Sequence, residues 1–213
     1  GKSVAGIGSV FSHPNLIVKL AEKGAGGTAR DRKSREELGP LADRFDAAGV
    51  RLRLGDKHMM GMDGEIVFRT PGMYFYHPVL CALRQKNVVV TSEMEVFFDL
   101  CPSRIIGVTG SDGKTTTTTL IAEMLRAEGH TVHLGGNIGK ALLPDVEKMK
   151  PDEFAVVELS SFQLISMRTS PQVAVITNVA PNHLDVHGDM AEYIEAKRNL
   201  FRNQNAFGKL VLN

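Results

Sequence analysis

Arg104-Ile-Ile-Gly-Val-Thr-Gly-Ser-Asp-Gly-Lys-Thr-Thr116 is the stretch on which the reading of this chain turns. The β-branched run Arg104–Thr109 predicts a buried strand, Gly110–Gly113 a tight loop, and Lys114–Glu128 a helix. Glycines in such a loop let backbone N–H groups turn inward around phosphate oxygens, and the helix N-terminus adds partial positive charge. Lys114 would supply a point charge for terminal phosphates, and the Thr115 hydroxyl is a hard oxygen suited to Mg²⁺. Gly110, Ser111, Asp112, Gly113, Lys114, Thr115 and Thr116 are therefore the expected ATP contacts. The stretch departs from the usual phosphate-loop pattern, which needs glycine where Val108 stands. A structural glycine turn with a coincidental lysine is the alternative.

Downstream, Phe154–Leu159 and Val173–Asn178 read as further strands, Lys209–Leu212 as a last one, and Met190–Arg202 as a helix. Glu158 closes the strand Phe154–Val157 and opens the segment Glu158-Leu-Ser-Ser-Phe-Gln163. An acid at the carboxyl end of a parallel strand faces the crevice where α/β folds bind ligands, so Glu158 is a candidate metal ligand. A carboxylate merely exposed at a strand end is the bland reading. His183, in Val179-Ala-Pro-Asn-His-Leu-Asp185, follows the next strand and is a candidate metal or phosphate contact. Lys197 lies on an amphipathic helix, where a solvated lysine is the default. Asn137 sits in Gly135-Gly-Asn-Ile-Gly139, where asparagine most often serves turn geometry.

Upstream, strand-like and helix-like runs alternate in the same way. Ser3–Gly8, Ala25–Arg30, Arg51–Gly55, Glu65–Arg69 and Asn87–Thr91 read as strands. Asn15–Lys23, Ser34–Ala48 and His77–Gln85 read as helices, the second opened by a Ser34/Glu37 capping box. The pattern predicts an α/β protein with mainly parallel sheets: a Rossmann-like domain over residues 1–101, then a P-loop ATPase-type domain over residues 104–213. Pro102 and Ser103 punctuate the boundary. Because the second unit stops on a strand, it is expected to be partial. After the first strand, Gly6-Ile-Gly8 lacks the third glycine of the dinucleotide fingerprint, since Phe11 stands there, which argues against a nicotinamide cofactor. That turn, with Asp31 and Arg32 after the second strand, is as compatible with pyrophosphate binding as with a purely structural turn.

The bulk numbers exclude several classes. A net charge of +1 with scattered basic residues argues against a nucleic-acid partner. No apolar run approaches the roughly 20 residues that span a bilayer. Cys81 and Cys101 show no metal-ligand spacing and read as reduced core thiols. A cytoplasmic monomer is the resulting expectation.

Taken together, these segments resemble the Mur ligases, ATP-dependent enzymes that add amino acids to the peptidoglycan precursor. The variant loop Gly110–Thr116 is similar to that family's loop. Gly135–Gly139, Glu158–Leu164, Asn178–Asp185, Ala196-Lys-Arg198, Asp31–Glu37, Thr70-Pro-Gly72 and Ser92–Glu95 are similar to the branch that adds D-glutamate to UDP-N-acetylmuramoyl-L-alanine. The resemblance implies a UDP-sugar site at Gly8, Ser9, Val10, Asp31, Arg32, Thr70, Pro71 and Gly72. It implies substrate contacts at Asn137 and Ser160. It implies two Mg²⁺ ions, one attended by Thr115 and Glu158, the other by His183 and a carbamylated Lys197. Lys114, His183 and Lys197 would be the catalytic set. The reaction implied is attack of the alanyl carboxylate on the γ-phosphate of ATP, then displacement of phosphate from the acyl phosphate by the amine of D-glutamate. The resemblance also implies a C-terminal domain, missing here, and residues 1–213 alone are expected not to turn over. Two other readings stay open: a nucleotide-sugar-binding module without catalysis, and another P-loop phosphotransferase.

Overall fold

The computed structural model describes residues 2–8, 14–181 and 188–213. The chain divides into two compact units, Gly1–Glu93 and Met94–Asn213. The division precedes the punctuation at Cys101–Ser103 by one helix, α5 (Glu93–Leu100), which is not among the helices expected from the sequence. That helix is held within the second unit: Ser166 Oγ donates to Glu95 at 2.9 Å and Thr169 Oγ1 to Asp99 at 2.7 Å.

The first unit holds a five-stranded sheet ordered β3-β2-β1-β4-β5. Its strands are β1 (Ser3–Ile7), β2 (Gly26–Asp31), β3 (Arg51–Leu54), β4 (Ile66–Phe68) and β5 (Val89–Thr91), and every pairing is parallel. Parallel strands need crossovers, and helices α1 (Pro14–Glu22), α2 (Arg35–Leu38), α3 (Pro40–Ala47) and α4 (Pro78–Gln85) supply them. One apolar cluster joins Ala5, Ile7 and Val67 to Leu80 and Leu83 of α4. Another joins Ile17 and Val18 of α1 to Ala29, Phe45 and Val50. The single helix expected over Ser34–Ala48 is two. Pro40 has no N–H to give and disfavours helical geometry at the residue before it; Gly39 takes φ 54°. The Ser34/Glu37 capping box is present and opens α2.

The second unit holds another parallel sheet, ordered β10-β9-β6-β8-β7. Its strands are β6 (Arg104–Thr109), β7 (Val132–Gly136), β8 (Phe154–Glu158), β9 (Val173–Ile176) and β10 (Lys209–Leu212). After β6 comes the 14-residue helix α6 (Lys114–Ala127). A 3₁₀ turn (Leu143–Lys148), the short helix α7 (Ser161–Leu164) and α8 (Met190–Arg198) complete the described elements. β7 is absent from the sequence reading because its run, Val-His-Leu-Gly-Gly, breaks alternation and ends in two glycines. Those glycines are needed for close approach. Gly136 takes φ +107°, and a Cβ there would run into the Glu158 carbonyl and the Val157 side chain, so β7 can lie against β8 only without side chains at this end.

Gly136→Ala is expected to destabilise the chain by about 2–3 kcal/mol. Urea unfolding should show a lower midpoint with an unchanged slope.

Candidate functional site

β6 runs between β8 and β9, so three parallel strands end side by side and deliver the loop after β6 to their common edge. Gly113 opens α6 in the left-handed region, φ 75°, which lets the loop reverse into the helix. The first N–H groups of α6, from Lys114 to Thr116, have no acceptor within the helix and point out of its N-terminus. The loop is braced by residues that follow β9. Ser111 N–H and Asp112 N–H both donate to Asn178 Oδ1 at 2.9 Å. Thr177 Oγ1 donates to the Asp112 carbonyl at 2.6 Å. Ser111 Oγ donates to the Ala180 carbonyl at 2.7 Å and lies 3.0 Å from the Tyr193 hydroxyl.

Two lysines converge on this loop. Lys114 Nζ donates to the Gly110 and Ser111 carbonyls at 3.0 and 2.9 Å. Lys197 Nζ, from α8, donates to the same Gly110 carbonyl at 2.9 Å and to Thr109 Oγ1 at 3.3 Å. Lys197 is 2% exposed, so the solvated lysine expected from helix patterning is not what the fold makes of it. Its ammonium stands 4.6 Å from the centre of the Tyr193 ring. Burial, and then the nearby positive charge of Lys114, push its pKa down to about 8.

A carboxylate lies across from the lysines. Glu158, at the end of β8, is 1% exposed, so it is not the solvent-facing strand-end acid of the bland reading. Thr115 Oγ1 donates to its Oε2 at 2.7 Å and Asn137 Nδ2 to its Oε1 at 3.0 Å. Both of these partners among the described residues are neutral, and a buried carboxylate with neutral donors favours a cation. Thr115 hydroxyl, Glu158 carboxylate and Asn137 amide form a hard-oxygen environment that fits Mg²⁺ completed by phosphate oxygens. Among the described residues no group of three or more His, Cys, Asp or Glu side chains gathers to hold a metal.

The first unit has a cavity of about 530 Å³ lined by Ile7, Gly8, Asp31, Arg32, His58, Met59, Thr70, Gly72, Met73, Tyr74 and His77. It opens at the carboxyl ends of β1, β2 and β4, where the strand order β3-β2-β1-β4-β5 reverses direction. Buried Arg30 pins its rim: Nη1 donates to the His58 and Met60 carbonyls at 2.9 and 3.0 Å, and Nη2 to the Gly61 carbonyl at 2.9 Å.

Residues 108–213 match the Mur ligase middle domain. Over all 213 residues the chain is 46% identical to a Clostridium botulinum (strain Okra / Type B1) protein named UDP-N-acetylmuramoylalanine--D-glutamate ligase. It is 50% identical, over the same span, to a protein of that name from Acetivibrio thermocellus. The chain belongs to the Mur ligase family. It spans about half the length of the curated relatives it matches, 46% in each of these two. Among solved structures, it is similar to the UDP-N-acetylmuramate:L-alanyl-gamma-D-glutamyl-meso-diaminopimelate ligase from Neisseria meningitides, at a TM-score of 0.62 and 20% identity over 100% of this chain and 71% of that one. It is also similar to the UDP-N-acetylmuramate-alanine ligase from Thermotoga maritima, at a TM-score of 0.55 and 19% identity over 100% of this chain and 49% of that one. At such identities these two likenesses speak to the fold alone.

Within this Mur ligase chain the structure brings Lys114, Thr115, Asn137, Glu158 and Lys197 to one edge of the second sheet. Ser160 lies two residues beyond Glu158, where its hydroxyl accepts the Gln163 N–H at 3.3 Å and caps α7. Gly8, Asp31, Arg32, Thr70 and Gly72 line the first unit's cavity; Pro71 is not among its lining residues. Ser9, Val10 and His183 fall outside the described residues. The sequence reading did not single out Asn178, Thr177 or Tyr193 as site residues, nor His58, Met59 and Tyr74 in the cavity. That Asn178 takes two loop N–H groups depends on β9 pairing with β6, which no local pattern in Asn178–Asp185 encodes.

Asn178→Ala removes the acceptor of two loop N–H groups and is expected to cost about 1–3 kcal/mol of stability. Asn178→Asp, which keeps the acceptor, should recover part of that loss in thermal melts.

Proposed function

We propose that the protein to which this chain belongs is an ATP-dependent amide ligase that adds D-glutamate to UDP-N-acetylmuramoyl-L-alanine, the reaction that its relatives' name describes. The observation that carries the reading is the grouping of a buried carboxylate, Glu158, with Thr115 at the mouth of α6, beside two lysines on the Gly110 carbonyl. The backbone after β6 and the head of α6 receive the ATP phosphates, and Lys114 offsets their charge. Thr115 and Glu158 would hold Mg²⁺, whose charge would offset the repulsion between an anionic carboxylate and an anionic phosphoryl group. A second ion attended by His183 and Lys197 belongs to the same reading. Asn137 donates to the Glu158 carboxylate, and Asn137 and Ser160 are read as contacts of the substrate near its carboxylate. In the first unit, the cavity bounded by Gly8, Asp31, Arg32 and the Thr70–Gly72 turn takes the UDP moiety, and Ser9 and Val10 are assigned to the same ligand.

The chemistry balances in two displacements. The alanyl carboxylate oxygen attacks the γ-phosphorus, the bond to the bridging oxygen breaks, and ADP leaves. The D-glutamate amine then attacks the acyl carbon, the amide forms, and phosphate departs with the proton released from nitrogen. Lys197 is the residue to be carbamylated: its neutral amine adds to the carbon of CO₂ and loses a proton, leaving an anion. Burial supports this role, because it disfavours the ammonium form that cannot react.

With ATP, Mg²⁺, UDP-N-acetylmuramoyl-L-alanine and D-glutamate, the full-length protein should form ADP, phosphate and the amide in equal amounts. Phosphate release that does not depend on D-glutamate, or a stable phosphorylated product, would instead identify a phosphotransferase. Lys114→Ala should lower turnover by about a hundredfold or more while sparing UDP-sugar binding. Equal loss of both ligands in calorimetry would contradict the division of labour between the units. EDTA should abolish turnover and Mg²⁺ restore it.

Lys197 gives a pH prediction. With a folded pKa of about 8, its neutral fraction grows as pH rises from 7 to 9. In ¹³C-bicarbonate, a carbamate resonance should strengthen over that range and be missing in Lys197→Arg. A signal that persists in the variant would assign the carbamate elsewhere.

A further inference from the structure

The residues after β4, from Thr70 to His77, form a strap along the first unit's cavity, which Thr70, Gly72, Met73, Tyr74 and His77 line. The strap is built of turns. Met73 N–H donates to the Thr70 carbonyl at 3.1 Å and His77 N–H to the Tyr74 carbonyl at 3.0 Å. Turns of this kind carry few bonds per ordered residue, so their geometry is set by what grips them from outside.

The grip comes from the side away from the cavity. Phe75 is absent from the cavity lining although its neighbour Tyr74 is in it. Arg84, near the end of α4 and likewise not in the lining, donates from Nη1 to the Phe75 carbonyl at 2.8 Å. Its guanidinium carbon stands 4.0 Å from the centre of the Phe75 ring. Arg69 Cζ is 5.5 Å from the same ring, and Arg69 Nη1 reaches the Thr70 and Met73 carbonyls at 3.4 Å each. Buried Arg69 and half-buried Arg84 thus take one ring and three strap carbonyls. Arg84 does so while its Nη2 stays buried without a hydrogen-bond acceptor among the described residues. Only a planar guanidinium can lie over a ring and donate in its own plane to that residue's carbonyl; a lysine ammonium has no such plane.

We propose that Arg84 is a positioning residue for the nucleotide-sugar cavity: it grips Phe75 by ring and carbonyl, and so sets the strap whose other side chains meet the ligand. The inference rests on the reading of this cavity as the UDP-sugar site. Arg84 touches no ligand itself; it removes, in advance, the cost of ordering the strap on binding.

The test uses the full-length protein with two readouts. In calorimetry with UDP-N-acetylmuramoyl-L-alanine, Arg84→Ala should raise Kd by about tenfold and Arg84→Lys by less, since the stem and charge remain. In amide hydrogen exchange, Met73 and His77 should exchange faster in Arg84→Ala while the amides of β1 keep their protection. A role in packing alone would lower Tm without changing either readout for the folded molecules, and would overturn the proposal. Should the unaltered protein bind no UDP-sugar, the functional reading of the cavity fails, and the exchange result alone then decides whether Arg84 orders the strap.

Discussion

The pairing of β6 with a parallel strand on each side governs the second unit. Val108 is in register with Glu158, and Thr109 with Ile176. The residues that follow these positions are therefore neighbours whatever their side chains. The ladder continues past the strand ends: Leu159 N–H donates to the Val108 carbonyl at 2.8 Å, and Thr177 N–H to the Thr109 carbonyl at 3.0 Å. Gly110 then passes so close to Thr177 that a Cβ would collide with its hydroxyl. Three strand ends are thereby fused into one rigid edge, and the loop between β6 and α6 has little room to choose another path.

On that edge the electrostatics are deliberately unbalanced. Lys114 and Lys197 point at one carbonyl, an arrangement that repels internally and, added to burial, disfavours the charged form of Lys197. Burial strips Lys197 of water, and the Tyr193 ring offers only partial compensation. The acid Glu158 is set apart from both lysines by its bonds to Thr115 and Asn137, so the acid and the lysines do not neutralise each other. Had Glu158 paired with either lysine, the charges would have satisfied each other and left nothing for a ligand.

The first unit uses the same edge of a parallel sheet for a different surface. Its cavity lies at the carboxyl ends of β1, β2 and β4, where β2 flanks β1 on one side and β4 on the other and the strand order reverses. The walls mix a guanidinium, a carboxylate, two imidazoles and two thioethers, which suits a ligand with both charged and flat apolar parts.

How much of this was legible follows from the range of each signal. The strand, loop and helix from Arg104 to Glu128 could be read because local rules govern them: β-branched residues, then glycines, then a run free of breakers. The Ser34/Glu37 cap was readable for the same reason, while the Gly39-Pro40 break two residues later was passed over although its signal is equally local. Lys197, Asn178 and β7 were beyond local rules. A lysine on an amphipathic helix looks solvated until α8 is packed against the loop, and two glycines look like a turn until a neighbouring strand requires their lack of side chains. The sequence by itself determined the alternation of strands and helices and the chemistry stored in the loop at Gly110–Thr116. Only the tertiary structure decided which distant side chains face that loop, because parallel pairing joins residues more than sixty positions apart whose proximity no local pattern encodes.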